Sequence, residues 1–179
     1  MTSTSRTPTH SATVRDAPSP HAYDVGLLLL RLVLGLTMAV HGTQKLFGWF
    51  GGPGIHRTGQ GFELSGYPHG EAMALLAGLS ETLGGLGLAL GLLTPLAGAA
   101  IVGVMINAIA VGWGSFFAPE GIEYEVLILA AAATLTLTGP GRYALDHYIP
   151  VLRAHRLVYG VVALVLAVVA AAVVLLIRG

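Results

Sequence analysis

The sequence predicts an all-α polytopic membrane protein, built as a four-helix transmembrane bundle with an additional C-terminal transmembrane helix. Hydrophobic residues make up 54% of the 179-residue chain and charged residues only 10%, whereas ordinary soluble domains carry about 25% charged residues. Five segments reach or approach the roughly 20 mostly apolar residues with which a helix crosses the hydrocarbon core. A lipid bilayer is therefore the first expected partner.

The five predicted spans follow one another along the chain. They cover residues 25–47, 72–93, 95–117, 121–138 and 158–177, of which the fourth is the shortest. Thr94 is a suitable N-cap and Pro95 suits the first helical position, so the second and third spans should form an antiparallel hairpin. Residues 139–141 (Gly-Pro-Gly) should end the fourth span, because neither residue type continues a helix.

The remaining segments complete the predicted domain organisation. Residues 1–22 are rich in Ser, Thr and Pro without apolar periodicity, and they are predicted to be a disordered tail. Residues 23–146 form the four-helix membrane domain, and residues 147–179 form a connector and the fifth helix. An uncleaved anchor is expected rather than a signal peptide, because Arg31 interrupts the first apolar stretch.

Basic residues near the span ends predict the orientation. One side of the membrane would hold five basic residues, namely Arg6, Arg15, Arg142, Arg153 and Arg156. The opposite side would hold three, namely Lys45, Arg57 and Arg178. Since cytoplasmic segments are enriched in Lys and Arg, the N-terminus is predicted to be cytoplasmic and the loop of residues 48–70 external.

An interfacial turn is predicted at residues 139–146, on the cytoplasmic side. Arg142 precedes Asp146 by four residues, so the two would form an ion pair if residues 142–146 make a helical turn. In the other interpretation Arg142 only sets the orientation of the chain.

Charge and cysteine content exclude several classes of function. The formal net charge is zero, so nothing favours nucleic acid as a partner, and the absence of cysteine excludes thiolate chemistry and Fe–S ligation by this chain. The histidines have no recognisable metal-ligand spacing, so neither a metal nor a resident cofactor is predicted. Small residues spaced four apart favour a tight helix bundle, and they are compatible with a homo-oligomer as well as with a monomer.

A polar stripe marks the first span. Arg31, Met38 and Lys45 repeat every seven residues, with Gly35 on the same face, and His41 lies on the flank. A seven-residue repeat indicates a seam that faces another helix.

The second span carries Glu81, which falls at a depth comparable to Arg31 if the two helices are antiparallel neighbours. A direct or water-bridged Arg31–Glu81 pair is therefore predicted, either as a structural pair that sets helix register or as part of a ligand site.

Further polar residues lie in the third and fourth spans. Asn107 is near the middle of the third span, where it is either an interhelical hydrogen-bond donor or a ligand contact. Glu123 and Glu125 begin the fourth, and at most one of them should point into the bundle. The candidate ligand-binding residues are Arg31, His41, Lys45, Glu81, Asn107 and Glu123, with no catalytic residue assigned.

The sequence resembles the DoxX family of small membrane proteins. Four stretches carry the resemblance: residues 31–35 (RLVLG) with 41–47 (HGTQKLF); Glu81 with Gly84, Gly85 and residues 91–94 (GLLT); Gly121 with residues 123–125 (EYE); and residues 139–146 (GPGRYALD). The resemblance implies a four-helix membrane bundle related to the DoxD subunit of thiosulfate:quinone oxidoreductase. It also implies an association, in some bacteria, with a membrane oxidoreductase complex that contains superoxide dismutase and a sulfurtransferase. The segment 158–177 departs from the usual four helices.

Three functions follow from the residues and the resemblance together. The first is a redox component, for quinone-linked sulfur-compound oxidation or oxidative-stress defence, in which Arg31, His41 and Glu81 surround a quinone headgroup or a sulfur oxyanion. The second is a non-catalytic anchor for soluble redox enzymes. The third is a small-molecule transporter or binding protein.

Overall fold

Six α-helices make up most of the part of the chain that the computed structural model describes, which is residues 19–119, 121–150, 152 and 156–179. They are α1 (Pro20–Phe47), α2 (Gly54–Leu64), α3 (Gly70–Leu90), α4 (Thr94–Val111), α5 (Glu123–Thr138) and α6 (Leu157–Leu176). Two short 3-10 helices lie at Trp49–Gly51 and Leu145–Tyr148. No strand occurs in these residues, and the all-α prediction is confirmed.

Four of the helices are long and apolar enough to cross a membrane: α1, α3, α4 and α6. The fourth predicted span, α5, has 16 residues and is about 24 Å long, somewhat shorter than the ~30 Å hydrocarbon core. It nevertheless runs the length of the bundle in the direction opposite to α4 and α6. The five helices α1, α3, α4, α5 and α6 therefore alternate in direction.

This alternation defines two faces of the bundle. The Arg31 face holds the start of α1, where Asp24 Oδ1 accepts a hydrogen bond from the Arg142 backbone nitrogen at 3.0 Å. The Lys45 face holds the end of α1, α2 and the end of α6, where Arg178 Nε donates to the Ser65 carbonyl at 2.8 Å. The start of α1 and the end of α6 thus lie on opposite faces, as an odd number of crossings requires.

The helix boundaries largely follow the predicted stop signals. α3 ends at Leu90 and α4 begins at Thr94, so the predicted hairpin is present. Gly139, with a φ of 82°, follows α5. α1 begins at Pro20, three residues inside the tail assigned to residues 1–22, because Pro suits the first helical turn. Residues 1–18 lie outside the described part of the chain.

The segment 48–70 was expected to be a loop, and it contains α2 instead. Three glycines in Gly54–Leu64 lower its helix propensity, which concealed the helix from sequence inspection. One of them is required by packing: a Cβ on Gly59 would lie 2.8 Å from the Glu71 nitrogen, where α2 crosses the start of α3.

Glycines also bring α1 and α3 into close contact along the predicted seam. A Cβ on Gly35 would lie 2.6 Å from the Ala89 nitrogen, and one on Gly42 would lie 2.6 Å from the Gly78 carbonyl. Arg31, Gly35, Met38 and Gly42 are all buried, so the seven-residue stripe does face a neighbouring helix. Small residues allow this approach where lipid gives no hydrophobic drive for helix association.

The added C-terminal helix, α6, is an integral part of the bundle. It packs against α4 and α5, and Ala163 and Ala167 belong to the same buried core as Ile101 and Leu135. At Gly160 the helix crosses so close to the Thr136 backbone that a side chain there would collide with it. The bundle therefore has five members, with α4 contacting α3, α5 and α6.

Cysteine labelling in intact cells tests the topology, since the chain has no native cysteine. We expect Leu64→Cys, at a position that is 91% exposed, to react from the same side as Gly179→Cys. Ser19→Cys and Tyr143→Cys should react from the opposite side. Labelling of Ser19→Cys and Gly179→Cys from one side would contradict five crossings.

Candidate functional site: a cavity beneath helix α2

Glu81 pairs with Lys45 and not with Arg31. Lys45 Nζ donates to Glu81 Oε2 at 2.6 Å, and the Glu81 side chain is 1% exposed while that of Lys45 is 27% exposed. The predicted Arg31–Glu81 contact is therefore wrong. The register of the glycine seam explains this, because Gly42 packs between Gly78 and Thr82 and brings Lys45 to Glu81.

Arg31 instead lies near the opposite face of the bundle, two heptads or about 21 Å along α1 from Lys45. Its side chain is buried against Gly91, and any Cβ at that glycine would collide with the guanidinium. The negative charge of Asp146 acts on it. Two guanidinium nitrogens, Nε and Nη1, have no hydrogen-bond partner, so the carboxylate compensates the charge at longer range.

Asp146 caps helix α4. Its carboxylate accepts hydrogen bonds from the Leu93 nitrogen at 2.7 Å and the Thr94 nitrogen at 2.9 Å, and its own nitrogen donates to the Gly91 carbonyl at 2.8 Å. These bonds satisfy amides that α4 leaves without intrahelical partners. The buried carboxylate thereby ties the α5–α6 connection to the α3–α4 hairpin.

The predicted Arg142–Asp146 ion pair is not formed. Ala144 is extended (φ −136°, ψ 149°) and the 3-10 helix begins only at Leu145, so residues 142–146 are not one helical turn. The ion pairs found in the described residues are Lys45–Glu81 and His56–Glu71. Arg142 contributes its backbone amide to Asp24, as noted above.

A cavity of about 810 Å³ extends along the bundle from the Lys45 face, where Val111 lines it, to Leu96 near the start of α4. Helix α2 covers it, with Thr58, Gly61 and Phe62 in its lining. Four predicted ligand residues line it, namely His41, Lys45, Glu81 and Asn107; Arg31 and Glu123 do not. The predicted polar cavity thus contains His41 and Glu81 but has Lys45 in place of Arg31.

The polar end of the cavity is a cluster of His41, Lys45, Glu81, Tyr124 and Glu125. Tyr124 Oη and His41 Nε2 are 3.2 Å apart, within hydrogen-bond distance. The charges of Lys45 and Glu125 both act on His41. Glu125 Oε2 is buried without a hydrogen-bond partner. Three helices therefore direct ionisable groups to one place.

Glu125 takes the place that the sequence analysis gave to Glu123. Only one of the two carboxylates reaches the cavity, as expected from their spacing, while the Glu123 carboxylate lies beside Gly121. The sequence offered no signal to choose between them, because the rotation of α5 is set by its packing on α4 and α6. Tyr124, also missed, reaches the cavity at the edge of α5.

Asn107 connects α4 to α6 and to the segment between α2 and α3, and it also lines the cavity. Its Nδ2 donates to the Gly103 carbonyl at 3.1 Å and to the Ala171 carbonyl of α6 at 3.5 Å, so it is an interhelical donor. Its Oδ1 accepts from Tyr67 Oη at 3.1 Å. Burial raises the pKa of the Tyr67 hydroxyl, which keeps its proton available for this bond. Tyr67 was not identified from the sequence.

Histidine, aspartate and glutamate side chains do not form a group of three or more with metal-binding geometry anywhere in the described ranges. His56, for example, is bonded through Nδ1 to Glu71 Oε1 at 2.6 Å.

The fold and the cavity define a class: a polytopic helical membrane protein with ionisable groups around an internal, largely apolar cavity. The family model described as DoxX matches residues 26–118, which include α1 to α4. A Bacillus subtilis (strain 168) protein named "Putative oxidoreductase CatD" is 30% identical over 128 residues, covering 72% of this chain and 90% of that protein. No solved structure matches the chain. This chain belongs to the DoxX family and is a multi-pass membrane protein.

Double-mutant cycles test the corrected pairing. Lys45→Met and Glu81→Gln should each lower the free energy of unfolding in detergent, and Lys45→Met, which removes the partner of the buried Glu81 carboxyl, by about 3 kcal/mol. The double variant should lose clearly less than the sum, since the two residues interact directly. The matched cycle of Arg31→Gln with Glu81→Gln should be additive. Additivity in the first cycle would contradict the Lys45–Glu81 contact.

The cap on α4 gives a second test. Asp146→Ala should destabilise the protein by at least about 1–2 kcal/mol, because two amides of α4 lose their acceptor and Arg31 loses its counter-charge. Arg142→Ala should change stability by less than about 0.5 kcal/mol, since it retains the backbone amide that bonds Asp24. Thermal unfolding of the purified variants measures both losses of stability. Equal losses would instead support an Arg142–Asp146 ion pair.

Proposed function

We propose that this DoxX-family protein is a membrane component of a redox system and that its cavity binds a quinone headgroup. The observation that supports the proposal is the combination, in one cavity of about 810 Å³, of a charged cluster with long apolar walls. The volume lies within the range of about 300–1,000 Å³ that is common for small-molecule sites. A ligand with a polar ring and an apolar tail matches both parts.

The residues at the polar end fit a quinone headgroup. Quinone carbonyls accept hydrogen bonds, and Lys45, Tyr124 and protonated His41 are donors that converge on the cavity. Glu125 Oε2 is buried with no partner, and it can accept a hydrogen bond from the hydroxyl of the reduced headgroup. A bound headgroup would supply two-electron redox chemistry, and these side chains would hold its oxygen atoms.

Each residue then has a defined role. Glu81 orients the Lys45 ammonium through the 2.6 Å bond. His41 and Tyr124 form a hydrogen-bonded pair that can move a proton between α1 and α5. Glu125 is close enough for its charge to act on His41, and its buried Oε2 is placed to accept a hydrogen bond from a reduced headgroup. Helix α2 lines the same cavity through Thr58, Gly61 and Phe62.

The chain has no cysteine, so neither a dithiol nor a thiolate-ligated cluster of its own supplies electrons to the headgroup. We propose a soluble redox enzyme as their source, in sulfur-compound oxidation or in oxidative-stress defence. The word oxidoreductase in the name of the Bacillus subtilis relative supports this setting. The non-catalytic anchor and the transporter are the alternatives that the experiments below separate from it.

Quinone binding is measured by thermal-shift titration of the purified protein with a water-soluble short-chain quinone. We expect stabilisation of the wild type. His41→Leu and Tyr124→Phe should each weaken the apparent Kd about five- to tenfold, because one donor is lost. Glu123→Gln is the matched control, on the same helix as Tyr124 but outside the cavity, and should bind as the wild type does.

Turnover is measured as thiosulfate-dependent quinone reduction in membranes with and without the chain. Glu125→Gln should lower the chain-dependent rate while leaving quinone binding close to that of the wild type, whereas Glu123→Gln should leave both unchanged. If the chain co-purifies with soluble redox enzymes but neither binds quinone nor changes the rate, it is an anchor. If quinone is bound but the reduction rate is independent of the chain, it is a binding protein.

A further inference from the structure

A second, smaller cavity continues the first toward the Arg31 face. Its volume is about 210 Å³, and side chains of α4, α6 and the preceding connection line it, including Leu93, Pro95 and Tyr159. Three residues belong to both cavities: Leu96, Ala163 and Leu166. The two spaces therefore form one groove between α4 and α6, here called the α4–α6 groove.

Small side chains form the groove. Ala99, Ala100 and Gly103 line it on α4, and Ala163 and Ala167 line it on α6. Because these side chains extend little beyond the backbone, they leave a continuous space between helices that would otherwise interdigitate. Its lining runs from Val111 to Leu93, about 27 Å along the α4 axis. That length is close to the ~30 Å of a hydrocarbon core.

The groove opens sideways to the bilayer. Leu96 and Leu166 line both cavities, and each is 58% exposed on the outer surface of the bundle. A molecule dissolved in the membrane could therefore enter between α4 and α6 without passing α2.

We propose that the α4–α6 groove binds the polyisoprenoid tail of the quinone, which enters laterally from the bilayer. This inference rests on the proposed function, since the headgroup must occupy the polar end of the same space. It also assigns a role to α6, which lies outside the matched residues 26–118: this helix is one wall of the tail site.

Charge favours a quinone over a membrane phospholipid as the occupant. The polar end presents the carboxylates of Glu81 and Glu125 beside the ammonium of Lys45, with Glu81 already bonded to that ammonium. An anionic phosphate would meet two carboxylates and compete for one cation, whereas a quinone ring is neutral. The apolar tail gains little from leaving lipid, so its affinity must come from close packing in the groove.

The test compares a short-chain quinone with one that carries eight isoprene units, using the wild type in nanodiscs. Leu166→Trp fills the point where the two cavities join, and Ala100→Leu fills the opposite wall on α4. Both should weaken binding of the long-chain quinone about tenfold and leave the short-chain quinone unaffected. Val169→Trp is the matched control, because Val169 is an exposed position of α6 that lines neither cavity.

Photolabelling identifies what occupies the groove. A quinone with a diazirine near the end of its tail should label residues close to Pro95 and Tyr159, and unlabelled long-chain quinone should compete. The tail site is overturned if both quinones bind the wild type and neither filling variant weakens binding of the long-chain quinone, and the proposed function then still stands. Labelling of the groove by a phosphatidylcholine probe that quinone does not displace also overturns it. Failure of both quinones to bind removes the proposed function and the tail site together.

Discussion

The glycine-mediated contact between α1 and α3 determines which charged groups of these two helices face each other. Gly35 and Gly42 on α1 have no room for a side chain, because the backbone of α3 passes directly over them. Close packing of this kind allows only one register, since a shift by one residue would bring side chains into the contact. Lys45 then faces Glu81, and Arg31 lies far from it.

Two ionic centres result, one near each face of the bundle. At the Lys45 face the ion pair lines a cavity and is accessible to a ligand. At the Arg31 face Asp146 caps α4 and compensates a guanidinium that is enclosed by Gly91 and Ala144. Ionisable groups within membranes are costly and commonly functional. The geometry separates the two centres here. The centre at the Lys45 face lines a cavity, whereas the centre at the Arg31 face stabilises the α3–α4 hairpin.

The parts of the fold outside the four-helix pattern complete the cavity. Helix α2 covers it, α6 supplies one wall, and Arg178 connects the two by bonding the carbonyls of Ser65 and Ala110. The guanidinium also lies 5.7 Å from the centre of the Tyr67 ring. The cavity is consequently formed by the whole bundle, and without α6 the face of α4 that lines it would be open to lipid.

The all-α membrane class, the α3–α4 hairpin and the buried stripe on α1 could be predicted from the sequence, because hydrophobic runs, Pro and Gly signals and a seven-residue repeat are local properties. Lys45 and Glu81 were also among the candidate ligand-binding residues. That these two residues pair, that Glu125 and not Glu123 faces the cavity, and that α2 is a helix became visible only in the folded structure. Each of these depends on helix register or rotation, which backbone contacts between segments distant in sequence determine, and apolar periodicity does not encode those contacts.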